Sequence, residues 1–430
     1  MAKKQRQKRN EKHEKRVKKL VVGSGLCAIL LIVSTYAWFI GMKTVNVSSF
    51  DVEIAAIDQL SLSLDGKKWA ETVSISKSTY NDTENTVYAG NTNSWGGDGL
   101  IPMSSVGVID STVSRMTLYE KGSLTTTPGG YRLMASRVNN YQEGSTEQDG
   151  YVAFDLFIKN LSGNEYYTEM NQLNEEAIYL TTDSQVTVAQ DGEQNTGIEN
   201  SVRVAFAQIG RVKATVTDQA TITGITCETN STVTGICANR VAQIWEPNDT
   251  AHVANAINWY TTSCKKRKAA PITDTASYDG TCGTVANGTA NQTYAVSGVI
   301  DYTDQVDVYD GTDYNGYTAS VGAAPAAGKL NAYDTFTDTE KNLAGVARPT
   351  FITLAPNSIT KVRVYIYIEG QDVDNYDFAS LGKKISVAFG FTKERFFDED
   401  VNYDSTNTAV LPDDVIKNVN NRSGNTNNNG

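Results

Sequence analysis

The sequence predicts an all-β protein: a jelly-roll-like antiparallel β-sandwich with a large disulfide-stapled insertion, preceded by one N-terminal hydrophobic helix. Three observations support this prediction. Many short segments alternate apolar and polar residues, which is typical of strands with one buried face. Beyond the N-terminal apolar segment no stretch keeps a helical period, apart from one candidate short helix at Thr168–Ala177. Four cysteines lie together in a polar middle region, where disulfides would staple an insertion.

The N-terminus joins a basic tail to an apolar segment. Residues 1–19 carry ten Lys and Arg against two Glu, a net charge of +8, and since the whole chain is −11, residues 20–430 sum to −19. The following segment, Leu20–Met42, contains no charged residue and has roughly the 20-residue length that spans a bilayer. Basic residues just before an apolar segment follow the positive-inside rule. The tail is therefore expected in the cytoplasm and not on a nucleic acid.

Two interpretations of the apolar segment remain open. Its most apolar stretch, Leu26–Val33, has the length of a signal-peptide core, and Thr35 and Ala37 occupy the −3 and −1 positions of a cleavage site before Trp38. Cleavage between Ala37 and Trp38 is the prediction. The alternative is an uncleaved single-pass anchor with its N-terminus inside. In both cases the bulk of the chain is expected to be extracytoplasmic, as a secreted or cell-surface protein.

The cysteines of the middle region fit an exported chain. They are Cys227, Cys237, Cys264 and Cys282, an even number that can oxidise outside the cytoplasm. Four cysteines allow three pairings. Local pairing, Cys227–Cys237 with Cys264–Cys282, is preferred because it closes short loops. No CxxC spacing of the kind that binds zinc occurs.

The predicted sandwich is discontinuous. Its first part is residues 43–210 and its last strands are residues 346–395. Residues 211–345 form the inserted cysteine-containing region, and residues 396–430 an acidic to Asn-rich disordered tail. The segments whose alternation indicates strands are 45–54, 60–64, 152–158, 202–206, 362–368 and 385–391.

Three details of these strands can be predicted. The alternation in the first strand slips across Ser48 and Ser49, which indicates a bulge or a bend. Val362–Ile368 and Ile385–Phe391 are predicted to be neighbouring strands that face one core. The polar residues that alternate with the first of these segments make it a half-buried strand.

No catalytic, cofactor-binding or metal-binding residue is predicted. The sequence has no HExxH or GxSxG motif, and His252 is the only histidine outside the basic tail. Clustered carboxylates, which could serve glycoside hydrolysis, follow one predicted strand, although acidic loops of an acidic protein are usually solvated turns. They are Glu369, Asp372, Asp374 and Asp377. A hydrolase is thus the less favoured alternative, and the protein is not expected to be an enzyme.

Calcium is the one cofactor for which the acidic loops could provide ligands. Hard cations bind several oxygens of a flexible loop, but a three-residue repeat fits no EF-hand and does not converge on one centre. The repeated aspartates are Asp301, Asp304, Asp307, Asp310 and Asp313. No cofactor is therefore expected.

Several segments resemble one family of exported proteins. "STYAWF" (Ser34–Phe39), followed by "VNVSSFDVEI", is similar to the N-terminus of the TasA/camelysin-type proteins of Gram-positive bacteria. "YVAFDLFIKN", "IYLTTDS", "SVRVAF", "IWEPN" and "VYIYIEGQD" resemble, in this order, blocks of large uncharacterised relatives. The resemblance covers residues 34–64, 150–206, 243–248 and 350–392. The cysteine-bearing region matches nothing in that family.

The resemblance implies a jelly roll, processing by a dedicated signal peptidase, and a secreted matrix or surface subunit. In fibre-forming members the N-terminal strand completes the sheet of a neighbour. The metalloprotease activity ascribed to camelysin-like members does not carry over, because the sequence lacks a zinc-binding helix.

The predicted function is therefore a non-enzymatic structural or adhesive surface protein that self-associates through its N-terminal strand or joins a surface polymer. The alternative is a membrane-anchored carbohydrate- or ligand-binding module that uses the loops near Trp95 and Asp372. Before or without cleavage, residues 20–42 would hold the chain in the membrane.

Overall fold

The structure is a computed structural model that describes residues 47–56, 60–75, 100, 102–105, 107–116, 118–127, 130–138, 151–163, 165–168, 175–190, 192–258, 285–289, 296–300, 313–314, 317–318, 335–343, 352–370, 372–375, 383–395, 402–403 and 409–410. All of them belong to one unit of mutual contacts, Val45–Gly430. The predicted N-terminal helix, Ala37, Trp38, Cys264 and Cys282 lie outside the described residues. Among the described residues, no helix has both the length and the apolar character needed to cross a bilayer.

Strands make up most of the described structure. They are β1 (Val47–Ala56), β2 (Leu60–Ser63), β3 (Thr72–Ile75), β4 (Met103–Ser104), β5 (Ile109–Asp110), β6 (Arg115–Met116), β7 (Leu118–Thr127), β8 (Gly130–Val138), β9 (Tyr151–Asn160), β10 (Glu176–Leu180), β11 (Gln185–Val188), β12 (Val202–Lys213), β13 (Thr234–Gly235), β14 (Gln243–Glu246), β15 (Val296–Ile300), β16 (Asp313–Tyr314), β17 (Tyr317–Thr318), β18 (Thr335–Thr337), β19 (Ile352–Leu354), β20 (Ser358–Ile368), β21 (Lys383–Arg395), β22 (Asn402–Tyr403) and β23 (Ala409–Val410). The helices are short: α1 (Gln219–Thr223), α2 (254–258), α3 (Asp338–Lys341) and the 3-10 turns Ile198–Ser201 and Cys237–Asn239.

Most strands assemble into three sheets. Sheet I has the order β19-β10-β21-β1-β3, with β11 also paired to β21. Sheet II has the order β18-β14-β12-β20-β9-β2, with β13 also paired to β12. Sheet III has the order β15-β8-β7-β4. The predicted all-β class is confirmed.

Sheets I and II contribute to one hydrophobic core, which makes the architecture sandwich-like. Alternate residues of β9 and β20 enter this core together with residues of β1, β12 and β21. Phe206 of β12 contacts Phe389 and Phe391 of β21, with ring centroids 5.5 and 6.4 Å apart. Successive side chains of a strand point to opposite faces, so the alternation in the sequence predicted this inner face correctly.

The other face of sheet II is buried too, and the prediction that β20 is half-buried is wrong. Every residue of β20 is buried. On this second face, Arg363 Nε lies 2.7 Å from Asp155 Oδ1 of β9, and Lys361 Nζ lies 3.0 Å from Asp155 Oδ2. Burial works against the Asp155 carboxylate, but the charges of Arg363 and Lys361 lower its pKa to about 2. The charged residues Lys361 and Arg363 of β20 are thus paired with Asp155 on the neighbouring strand β9 and are not exposed to solvent.

Two predictions about strand neighbours are also wrong. β20 and β21 belong to different sheets and contribute side chains to the same core. The sheets are mixed and not wholly antiparallel, because β1 runs parallel to β21, β14 to β18 and β15 to β8. Parallel neighbours need a long crossover connection, and the chain between β1 and β21 supplies one.

Local details complete the comparison. The register of β1 shifts between Val47 and Ser49, at the predicted irregularity. The last two residues of the candidate helix at Thr168–Ala177 belong to a strand, since β10 begins at Glu176. From the region predicted as inserted, β13, β14 and β18 pair within sheet II.

Candidate functional site

Charged residues from several segments meet where β20 ends. Asp372 and Asp374 follow β20, Arg203 lies on β12, Glu246 ends β14, and the turn after β14 supplies Asp249 and His252. We call these six residues the polar cluster. All are buried except Glu246, which is partly exposed. Buried charges are stable only when they are paired, so their partners decide what the cluster can do.

Arg203 organises the first half of the polar cluster. Its guanidinium lies 2.6 Å from Asp372 Oδ2 and 3.7 Å from Glu246 Oε1. Burial disfavours the charged guanidinium, but Glu246 and Asp372 raise the pKa of Arg203. Asp372 Oδ1 also accepts the backbone N–H of Asp374 at 2.8 Å. Arg203 is therefore held as a permanent cation that fixes the loop after β20.

His252 and Asp374 form the second half. His252 Nδ1 lies 2.6 Å from Asp374 Oδ2, and Nε2 lies 3.2 Å from the Thr289 carbonyl oxygen. A carbonyl oxygen only accepts, so Nε2 carries a proton and a second proton lies between Nδ1 and Oδ2. Burial works against the imidazolium, but the hydrogen bond and charge of Asp374 raise the pKa of His252. The pair keeps its shared proton to a higher pH than a free imidazole would.

Gly197 allows the loops around Asp374 to approach one another. Its φ is +81°, and a Cβ atom at this position would lie 2.6 Å from Asp374 Oδ1 and 2.7 Å from Val253 Cγ2. Any side chain would therefore clash as well as strain the backbone. Glycine is required here by packing.

Two carboxyl groups of the polar cluster are less well compensated. Burial raises the pKa of Glu246 despite the nearby Arg203. Burial and the charge of Asp338 raise the pKa of Asp249, and Asp249 Oδ1 is buried without a hydrogen-bond partner. Both groups therefore bind protons at a less acidic pH than exposed carboxylates do.

The geometry of the polar cluster favours a structural role, in which the side chains bind one another. Both ring nitrogens of His252 are engaged, and Asp372 and Asp374 are bound to a cation and a histidine. Among the residues that the structure describes, no three His, Cys, Asp or Glu side chains are arranged to hold a metal ion. Asp377, Trp95 and four of the five repeated aspartates lie outside those residues, and Asp313 lies in β16. The hydrolase alternative and the question of a calcium site therefore remain hypotheses based on the sequence.

The first strand forms a second candidate site. β1 pairs with β21 from Val47↔Lys383 to Ala56↔Phe391. On its other side β3 covers only Val52–Ala55, and no described strand pairs there with Val47–Asp51. Val52 and Ile54 are buried, whereas Asp51 and Glu53 are exposed. β1 thus fills a slot between β21 and a four-residue edge strand.

One of the two predicted disulfides is present. Cys227 and Cys237 are bonded, with Cα atoms 4.9 Å apart. Both belong to the cluster that covers the second face of sheet II. A Cβ atom on Gly235 would lie 1.9 Å from the Cys227 carbonyl oxygen, so the stapled loop also requires this glycine. The Cys264–Cys282 pair stays a prediction.

The sequence did not predict the polar cluster as a unit. Asp372, Asp374 and His252 were noted separately, but Arg203, Glu246 and Asp249 were missed. No local signal pointed to Arg203, because a charge between Val202 and Val204 is also what a strand with one solvated face shows.

Comparisons with protein-family models, curated proteins and solved structures find no match to this chain.

Proposed function

We propose that this chain is an extracytoplasmic, non-enzymatic surface or matrix protein of the TasA/camelysin type that assembles through its first strand. In this proposal residues 20–42 form an N-terminal hydrophobic helix, and a dedicated signal peptidase cuts within it, between Ala37 and Trp38. Sheets I and II form a jelly-roll-like sandwich, and the cysteine-containing region is a disulfide-stapled insertion.

The position of β1 is the observation that supports assembly. β1 follows the export segment closely, alternates buried and exposed residues, and lies between β21 and a short edge strand. A strand in such a slot can be supplied by the same chain or by a neighbour, because backbone hydrogen bonds and alternate side-chain pockets are the same in both cases. The net charge of −19 over residues 20–430 would keep unassembled chains apart.

A cysteine pair distinguishes the two sources of β1. Glu53 and Ala388 are Cα partners in the β1–β21 register, and paired strands lie about 4.8 Å apart, within the range that a disulfide bridges. In the Glu53→Cys/Ala388→Cys variant, strand exchange is expected to give disulfide-linked ladders on non-reducing gels, together with filaments in electron micrographs. Each single variant is the control and should give no ladder.

Truncation gives the complementary test. The chain from Trp38 onward is expected to assemble, and the chain from Asp51 onward is not. Two results together would overturn the proposal. The chain from Trp38 onward would stay monomeric, and the double variant would form only an internal disulfide between its two introduced cysteines. Binding of that monomer to one glycan on an array would instead favour the carbohydrate- or ligand-binding alternative.

A further inference from the structure

A lysine, an asparagine and a glutamate meet between the two sheets. Asn160 ends β9 of sheet II, whereas Glu176 begins β10 and Lys393 lies on β21, both in sheet I. Lys393 Nζ lies 3.2 Å from Asn160 Oδ1 and 3.2 Å from Glu176 Oε2. Asn160 Nδ2 donates to the same Oε2 at 2.7 Å. The Lys393 amine, the Asn160 carboxamide and the Glu176 carboxyl group thus lie within hydrogen-bonding distance of one another.

The orientation of the Asn160 amide is fixed by the backbone. The Ser162 N–H donates to Oδ1 at 3.1 Å, and Nδ2 donates to the Ala355 carbonyl oxygen at 3.1 Å. An N–H only donates and a carbonyl oxygen only accepts, so the two ends of the amide cannot be exchanged. Asn160 is fully buried and the Lys393 side chain is 9 % exposed. The carboxamide is held still, largely away from water, beside a primary amine.

We propose that Lys393 and Asn160 form an intramolecular isopeptide bond, with Glu176 as the acid–base catalyst. Glu176 takes a proton from Lys393 Nζ, and the neutral amine attacks Asn160 Cγ. The Nζ–Cγ bond forms and the carbonyl electrons move to Oδ1. Glu176 then gives its proton to Nδ2 and accepts a second one from Nζ. The Cγ–Nδ2 bond breaks and ammonia leaves, so that no oxidant or co-reactant is needed.

The contacts around Glu176 and Oδ1 bear on the proton transfers and on the charge that develops in this reaction. The same Glu176 oxygen reaches both the attacking and the departing nitrogen, as a proton shuttle must. The Ser162 N–H, which donates to Oδ1 at 3.1 Å, lies where negative charge develops on that oxygen. The single proton of the Ser162 hydroxyl is shared between Asn160 Oδ1 at 2.8 Å and Glu176 Oε2 at 2.5 Å. Oδ1 is about 1.2 Å from Cγ, so Lys393 Nζ, 3.2 Å from Oδ1, lies no more than about 4.4 Å from the carbon and moves closer in order to attack it.

The bond would connect the two sheets covalently. It joins β9 to β21, whose linked residues are 233 positions apart, and a cross-link that closes a long loop restricts the unfolded chain most. A plain Lys393–Glu176 ion pair is the competing interpretation. This inference rests on the three side chains and does not depend on the proposed function.

Mass spectrometry of the full-length protein decides between them. After reduction and trypsin digestion, we expect a branched peptide in which Lys393 is joined to Asn160, lighter than its two parts by one ammonia. Lys393→Arg and Glu176→Gln should each abolish it. Lys384→Arg, on the same strand, should leave it intact.

Wild-type protein is sufficient to overturn the proposal. If folded wild type yields mainly unbranched peptides with free Lys393 and Asn160, the three residues form only an ion pair. The intact Cys227–Cys237 disulfide and a β-type circular dichroism spectrum show that each sample is folded. Variants without the branched peptide should also melt at a lower temperature than Lys384→Arg.

Discussion

Phe206 of β12 and Phe389 of β21 lie edge to face in the sandwich core, with ring centroids 5.5 Å apart and ring planes at 80°. This contact joins two sheets that share no strand pairing. Apolar side chains such as these contribute to the association of sheets I and II.

A charge placed in this core should destabilise the protein. Val364 is fully buried and Phe389 is 3 % exposed, so Val364→Asp and Phe389→Asp each bury an unpaired carboxylate. We expect each to lower the free energy of unfolding by about 3 kcal/mol or more. Thr72→Asp, at an exposed position of β3, is the control and should have little effect. Urea titration measures all three; wild-type midpoints for both core variants would mean that these faces are not core.

The ion pairs of Asp155 should make the free energy of unfolding fall at acidic pH. The pKa of Asp155 falls from 3.8 to about 2 on folding. A lowered folded-state pKa gives stability that is complete above the unfolded pKa and is lost as the pH falls through the folded pKa. The loss is expected between about pH 4 and pH 2 and amounts to about 2 kcal/mol.

Variants at Asp155 test this assignment. Asp155→Asn should cost about 3–5 kcal/mol at neutral pH, because Arg363 and Lys361 remain buried without their partner. It should also flatten the acid limb of the stability curve. Asp51→Asn, on the exposed face of β1, should leave that limb unchanged, and an unchanged limb in Asp155→Asn would disprove the assignment.

His252 should titrate above its ordinary pKa of 6.5. Proton NMR can follow it because His252 is the only histidine of the chain from Trp38 onward. Asp374→Asn is expected to lower the pKa of His252. Because the folded-state pKa is raised, this contribution to stability is present below the unfolded pKa and is lost as the pH rises through the folded one. A His252 pKa unaffected by Asp374→Asn would contradict the pairing.

Reduction of the Cys227–Cys237 disulfide should lower the free energy of unfolding by about 2–3 kcal/mol, since it closes a short loop. Cys227→Ser/Cys237→Ser should reproduce this loss without reductant. Peptide mapping of the oxidised protein should also find Cys264 joined to Cys282. Free thiols at these two residues would refute the second pair.

N-terminal sequencing of protein recovered from the native cell surface tests the processing step. Cleavage between Ala37 and Trp38 predicts a mature chain that starts at Trp38. Ala37→Leu is expected to block cleavage, because the −1 position requires a small residue. A surface protein that begins at residue 1 or 2 would leave the single-pass anchor as the correct interpretation.

The sequence predicted the inner face of the sandwich well because period-two alternation records which side of a strand is apolar. It failed on the second face of β20. Lys361 and Arg363 indicate solvent in a local pattern, but their partner Asp155 lies on β9, far away in the chain. Sequence alternation identifies a polar face without telling whether water or another layer covers it.

The same limit explains the polar cluster and the strand neighbours. His252 and Asp374 are 122 residues apart, and no local rule pairs them. Cys227 and Cys237 were paired correctly because the shortest loops were preferred. β20 and β21 were predicted to be neighbours, but β20 lies in sheet II and β21 in sheet I, and the alternation within a strand does not record to which sheet the strand belongs.

The parallel pairing of β1 with β21 also bears on the order of folding. Most of the chain separates the two strands, and contacts between such distant segments form slowly because a large loop must close first. Sheet I cannot be completed until the last long strand has been synthesised. Until then sheet I lacks both the β1–β21 and the β10–β21 pairings.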